Sequence, residues 1–175
     1  MSGRHPGVTG LHRAEIAGVA IAALPEGATL LRVAHAEYIA NALATDAVRQ
    51  QLAAGIYEPG SFAEEFLGVA CAWPALGVVE IDDELLIAQM TGVPNSLAVD
   101  YATWIFLHEA QHLREGVGDR GSTDWLHREA ACEAAIAASH PELFHRAQTA
   151  AQLSAPIARV HHRITTLRAR PIEAG

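Results

Sequence analysis

The chain is poor in aromatic residues, thiols and basic side chains, and each shortage removes a class of function. Aromatics make up 6% of the 175 residues, so scattered rings such as Tyr57, Trp73, Tyr101, Trp104 and Trp125 read first as core. There are only two cysteines, Cys71 and Cys132, far apart and in no CxxC. That excludes a disulfide framework and fits a cytoplasmic location. Basic residues number 12 against 20 acidic ones, for a formal net charge of −8. Such a balance repels nucleic acid and anionic membrane surfaces. The one basic stretch, Arg159, Arg163, Arg168 and Arg170 with His161 and His162, reads as a solvated helix end. No apolar run reaches the roughly 18 residues of a membrane span, and MSGRHPGVTG at the start has no apolar core of a signal peptide.

What the chain does have is alanine, 35 residues of it. Alanine favours helix and close helix–helix approach, so the expected fold is mostly α, with at most a short strand near residues 77–81. Residues 1–10 read as a flexible tail and 11–170 as a single helical domain, with no repeat or linker. Helices are expected over 11–24, ended by Pro25-Glu26-Gly27, and over 28–54, ended by Gly55. His12, Glu15, His35 and Glu37 sit on them as surface or partly buried residues. Ser61 and Glu64 have capping-box spacing ahead of a helix bearing Phe62, Phe66 and Leu67 and limited by Pro74. The β-branched run Val78-Val79-Glu80-Ile81 reads as a strand ended by Asp82-Asp83, without a legible partner. A brief helix follows over 84–90. Later helices are expected over 124–139, from Pro141 at its permitted first turn, and from Pro156 to about Arg168.

The chemistry concentrates in residues 97–116, LAVDYATWIFLHEAQHLREG. Leu97, Tyr101, Trp104, Ile105 and His108 recur at three- and four-residue spacing, and Gly116 supplies a stop. A helix over 97–115 follows, expected to pack on helix 124–139. Within it, His108-Glu109-Ala110-Gln111-His112 is a complete HExxH. At 100° per residue both imidazoles lie on one helix face and can converge on one metal ion. Glu109 then stands beside the metal and can take a proton from a metal-bound water. Two histidines need a third protein ligand. The acids at the right remove are Glu129 and Glu133, four residues apart on one face, with His127 as a competitor. One acid can bind the metal while the other accepts the free N–H of a ligating histidine.

HEAQHLREG at 108–116 followed by REAACEA at 128–134 resembles the zinc metallopeptidases of the gluzincin type, and more faintly their ImmA/IrrE-like subgroup. VVEIDDELL at 78–86 sits where that subgroup has its edge strand. The resemblance implies His108, His112 and Glu129 as zinc ligands, Glu109 as general base and Glu133 as support for a histidine. It covers roughly a third of the chain, and only the HExxH part is specific. No strand pair of the sort that binds a peptide by β-addition is legible before the helix. His140 and His145 are the residues near enough in sequence to stabilise an oxyanion.

The expected activity is that of a zinc-dependent hydrolase acting on a peptide or another amide or small-molecule substrate. Two rivals stand beside it. Glu109-Ala110-Gln111-His112 and Glu142-Leu143-Phe144-His145 are both ExxH pairs. Two such pairs, with single glutamates from Glu129 or Glu133 and from Glu37, Glu64 or Glu65, mark a ferritin-like diiron site holding Fe in place of Zn. The second rival is a non-catalytic helical interaction module in which the motif is accidental.

Overall fold

The computed structural model describes residues 9–34, 69–116 and 123–157, with the backbone alone of 123–126. In chain order the elements are α1 (Arg13–Ala23), β1 (Thr29–Arg32), β2 (Ala70–Trp73), β3 (Val78–Ile81), α2 (Asp83–Gln89), α3 (Asn95–Glu115), α4 (Thr123–Ser139) and α5 (Pro141–Leu153). The fold is mostly helical, with a small three-stranded sheet. None of the described helices is long and apolar enough to cross a membrane.

The organising element is α3. Ala98, Ala102, Ile105, Glu109 and His112 follow one another at three- and four-residue steps and are all buried, as are Phe106, His108 and Ala110. Phe106 is fully buried among Ile16 of α1, Val79 and Ile81 of β3, and Leu86 and Met90 at α2. Alanines are buried on both long helices: Ala98 and Ala102 on α3, Ala147 and Ala150 on α5. α3 packs more extensively on α5 than on any other element, with α1 next. Gly116 ends α3 as its composition suggests, at φ +82°, with its N–H donated to the His112 carbonyl.

The strand expected near residues 77–81 is present as β3, and it has partners on both sides. The sheet order is β1-β3-β2, with β1 parallel and β2 antiparallel to β3. Thr29 pairs with Val78 and Arg32 with Ile81 on one side, while Ala70 pairs with Ile81 and Trp73 with Val78 on the other. Two expectations are corrected here. Residues 29–32, expected as the start of a helix, form β1. Residues 70–73, expected to close a helix before Pro74, form β2. Both corrections have one cause: β3 buries Val79, Glu80 and Ile81, and a buried strand must satisfy its backbone groups on both sides. β2 and β3 are joined by a 3₁₀ turn (Pro74–Leu76) and Gly77 at φ +63°, a left-handed conformation suited to glycine. A strand pair thus precedes α3 after all. The expected remainder of helix 28–54, the helix opened by Ser61, the loop at 117–122 and the C-terminal basic stretch lie outside the described residues.

The segment before α1 is tied to the start of α3. Gly10 donates its N–H to the Val93 carbonyl at 2.8 Å. The Asn95 side-chain amide donates to the Gly10 carbonyl and to Glu15 Oε1, both at 3.0 Å. Glu15 also accepts the His12 N–H at 2.8 Å. The Asn95 contact, ahead of the opposing effect of burial and the further contribution of His12, holds the Glu15 carboxyl below its ordinary range. A lowered carboxyl stabilises the fold above its unfolded pKa, and the contribution is lost as pH falls through the folded one. Asn95→Ala is therefore expected to cost about 1 kcal/mol at neutral pH. The deficit relative to wild type should shrink below about pH 4.5, as read by urea denaturation across pH.

Candidate metal centre

Local sequence sets up the site in two steps. One helical turn separates His108 from His112, which stacks their rings edge-on with centroids 4.7 Å apart. The chain then returns as α4, and Arg128 donates to the Glu115 carbonyl at 2.6 Å, fixing α4 beside the last turn of α3. The residue next to Arg128 is Glu129, whose carboxylate reaches both rings. Its Oε2 lies 2.9 Å from His108 Nε2 and its Oε1 lies 3.0 Å from His112 Nε2. The two Nε2 atoms are themselves 3.0 Å apart.

Protons satisfy this arrangement only in part. If both Nε2 atoms carried hydrogens toward Glu129, two N–H groups would face each other across 3.0 Å. If only one does, its single hydrogen must be shared between the carboxylate and the lone pair of the other ring. A cation at the centre accepts lone pairs from all three groups. Donors at about 2.0–2.1 Å around a tetrahedral ion stand about 3.3 Å apart, so an opening of a few tenths of an ångström suffices. His108, His112 and Glu129 form the metal-capable group that the described residues contain.

The electrostatics keep Glu129 anionic, as a ligand must be, and favour a proton on His108 that a metal ion would displace. Burial raises the Glu129 carboxyl, but the hydrogen bonds of His108 and His112 outweigh it and hold the pKa down to about 2. For His108, burial pulls the imidazole down, and the Glu129 contact with the charges of Glu109, Glu129 and Glu133 brings it out above its ordinary value. Glu109 is raised, because burial outweighs the nearby His108 and His112 charges and the bond from Ala72. Cys132 is pushed up to about 12 by burial and then by the surrounding carboxylates.

The supporting residues were only partly legible. Glu109 Oε2 accepts the Ala72 N–H of β2 at 2.7 Å. β2 is an edge strand among the described residues, and Asp82 donates its N–H to the Val69 carbonyl at 2.9 Å across the β2–β3 ladder. Antiparallel alternation then turns the Ala72 N–H outward, away from β3 and toward α3. His112 Nδ1 lies 3.4 Å from the Gly116 carbonyl and 3.7 Å from Cys132 Sγ. The carbonyl favours a proton on Nδ1, which leaves Nε2 as the inward lone pair. Trp104, one turn before His108, stacks against that ring at 5.9 Å. Spacing could have flagged Cys132, three residues past Glu129, and Trp104, four before His108. Nothing local could have flagged Ala72.

The other residues singled out by sequence stand apart from this group. Glu133 is exposed one turn beyond Glu129, and neither histidine hydrogen-bonds to it. His127 is exposed on α4, His140 caps α5 from an exposed position, and Glu142 and His145 are exposed on α5. Glu37, Glu64 and Glu65 lie outside the described residues. The chain was compared with protein-family models, curated proteins and solved structures, and matches none of them.

Zinc added to the metal-free protein should raise its melting temperature, because an ion that binds only the folded state stabilises by about 2.7 kcal/mol at a hundred times its Kd. His112→Ala and Glu129→Ala should each abolish that rise in a thermal-shift titration. An unchanged rise in both would place the ion elsewhere.

Proposed function

We propose that the chain is a zinc-dependent hydrolase acting on a peptide or another amide, with His108, His112 and Glu129 as ligands and Glu109 as general base. The observation that carries this reading is the convergence of two imidazole nitrogens and one carboxylate, 2.9–3.0 Å apart, beside a buried glutamate. Two histidines and one carboxylate are the donor set of catalytic zinc sites that keep one position open. The resemblance of HEAQHLREG and REAACEA to gluzincin peptidases, faintly of the ImmA/IrrE-like kind, points the same way. Two buried free cysteines fit a reducing, cytoplasmic compartment.

When bound, zinc would supply Lewis acidity, polarising a substrate carbonyl and acidifying water. The chain's own residues do the rest. The Ala72 N–H holds one Glu109 oxygen, and the other has no hydrogen-bond partner among the described residues. That second oxygen is the proton acceptor. It removes a proton from the water whose oxygen bonds to the carbonyl carbon, and returns it to the amide nitrogen as the C–N bond breaks. The diiron alternative gains nothing from the exposed Glu142 and His145, and it leaves His108 without a role.

Glu109→Gln keeps an oxygen for the Ala72 N–H but cannot take a proton. Zinc content should stay at wild-type level while amide hydrolysis falls by about 10²- to 10⁴-fold. Zinc analysis beside a peptide-library cleavage assay checks both halves, and a variant that retains activity would remove Glu109 as base.

A further inference from the structure

A cavity of about 240 Å³ opens beside the metal centre, between α3, α4 and α5. Its inner walls are Tyr101 and Trp104 of α3 and Phe144 of α5, with Ala147 and Ala151 between them. The exposed side chains of Glu133 and Gln148 stand on its lining as well. Trp104 is shared between the two places, since its ring also stacks on His108 at 5.9 Å. Glu133 lies one helical turn from Glu129, which sets the cavity about 6 Å along α4 from the cluster.

The size and chemistry of this cavity are selective. Sites for whole drug-sized ligands run from about 300 to 1,000 Å³, so this one suits a single side chain or a fragment of that size. Three aromatic rings accept either an apolar group or a cation over their faces. Glu133 decides between them. It has no cationic partner among the described residues, and its charge reaches the cavity from the exposed side, where a long side chain would place its head group. Gln148 adds an amide oxygen that accepts hydrogen bonds. The Trp104 indole, whose Nε1–H is buried without an acceptor among the described residues, contributes its ring to the lining. The wider balance of 20 acidic against 12 basic residues also favours a cationic ligand.

We propose that this cavity is a recognition subsite for an organic cation of side-chain size, the lysine or arginine side chain of a peptide bound at the metal centre. The link to a peptide rests on the hydrolase reading above, whereas binding of the cation does not.

The test uses the full chain and four probes: the N-acetyl amides of arginine and lysine, and those of citrulline and norleucine as neutral counterparts of similar shape. The indole N–H signal of Trp104, assigned with Trp104→Phe, reports occupancy by NMR. The charged probes should shift it saturably, with dissociation constants about five- to tenfold below those of the neutral probes. Glu133→Gln should erase that preference, and Ala151→Phe, which fills the cavity, should remove binding of all four. Equal binding of charged and neutral probes, or a preference that survives Glu133→Gln, overturns the proposal. So does a shift that leaves the Trp104 signal unmoved. Zinc content measured in the same samples separates the two readings. Protein without zinc that still prefers the cations keeps the subsite and removes the hydrolase, and zinc-loaded protein that ignores the cations does the reverse.

Discussion

Everything in the candidate site depends on a conflict among lone pairs. His108, His112 and Glu129 bring three acceptor-rich groups to within 2.9–3.0 Å of one another, in a place where His112 is 2% exposed. Little water reaches the two rings there, and protons serve the three groups only in part. Polar groups buried this way are costly unless something completes them. A divalent cation does so with one atom. The same constraint orders the surroundings: a carbonyl at Gly116 turns His112, Trp104 covers His108, and Arg128 holds α4 at the depth that lets Glu129 reach in.

The sheet contributes through a single backbone group. Glu109 points about 100° away from the ligand face, toward β2, and the outward-facing amide of Ala72 receives it at 2.7 Å. That amide is available because β2 sits at the sheet edge among the described residues, with its inward groups committed to β3. A short strand of small residues, Ala70-Cys71-Ala72-Trp73, suits this role. Its alanines let the strand lie close against α3 and leave the carboxylate room beside the histidines.

How much of this was legible in the sequence follows from which interactions are local. The helix over 97–115 and its HExxH face were readable because the 3.6-residue period of α3 continues unbroken into the motif and Gly116 closes it. Glu129 was readable as one of two acids at the right remove, but residue spacing alone left Glu133 equal to it. What separates them is the register of α4 against α3, set by the Arg128 contact with the Glu115 carbonyl, a tertiary fact. β3 was readable from Val78, Val79 and Ile81. Its partners were not, because Thr29-Leu30-Leu31-Arg32 and Ala70-Cys71-Ala72-Trp73 carry no alternation of their own. They are strands because β3 needs them, with pairing overriding weak local preference.

The way the helices pack gives a metal ion a mechanical consequence as well as a chemical one. α3 is held to α1 and α5 by extensive apolar and alanine packing, but its contact with α4 is thinner. Cys132 and Ile136 are the buried apolar residues of the described α4 side chains, while most of its alanines are exposed. The hydrophobic effect therefore secures α4 weakly, and the histidine–glutamate contacts with the Arg128 hydrogen bond supply much of its attachment. An ion shared by His108, His112 and Glu129 would replace two hydrogen bonds with coordinate bonds spanning the same two helices. It would tighten the α3–α4 pair where packing is poorest, and with it one wall of the cavity, which Glu133 of α4 lines. Metal occupancy and the shape of the neighbouring cavity are thus properties of one helix seated against another.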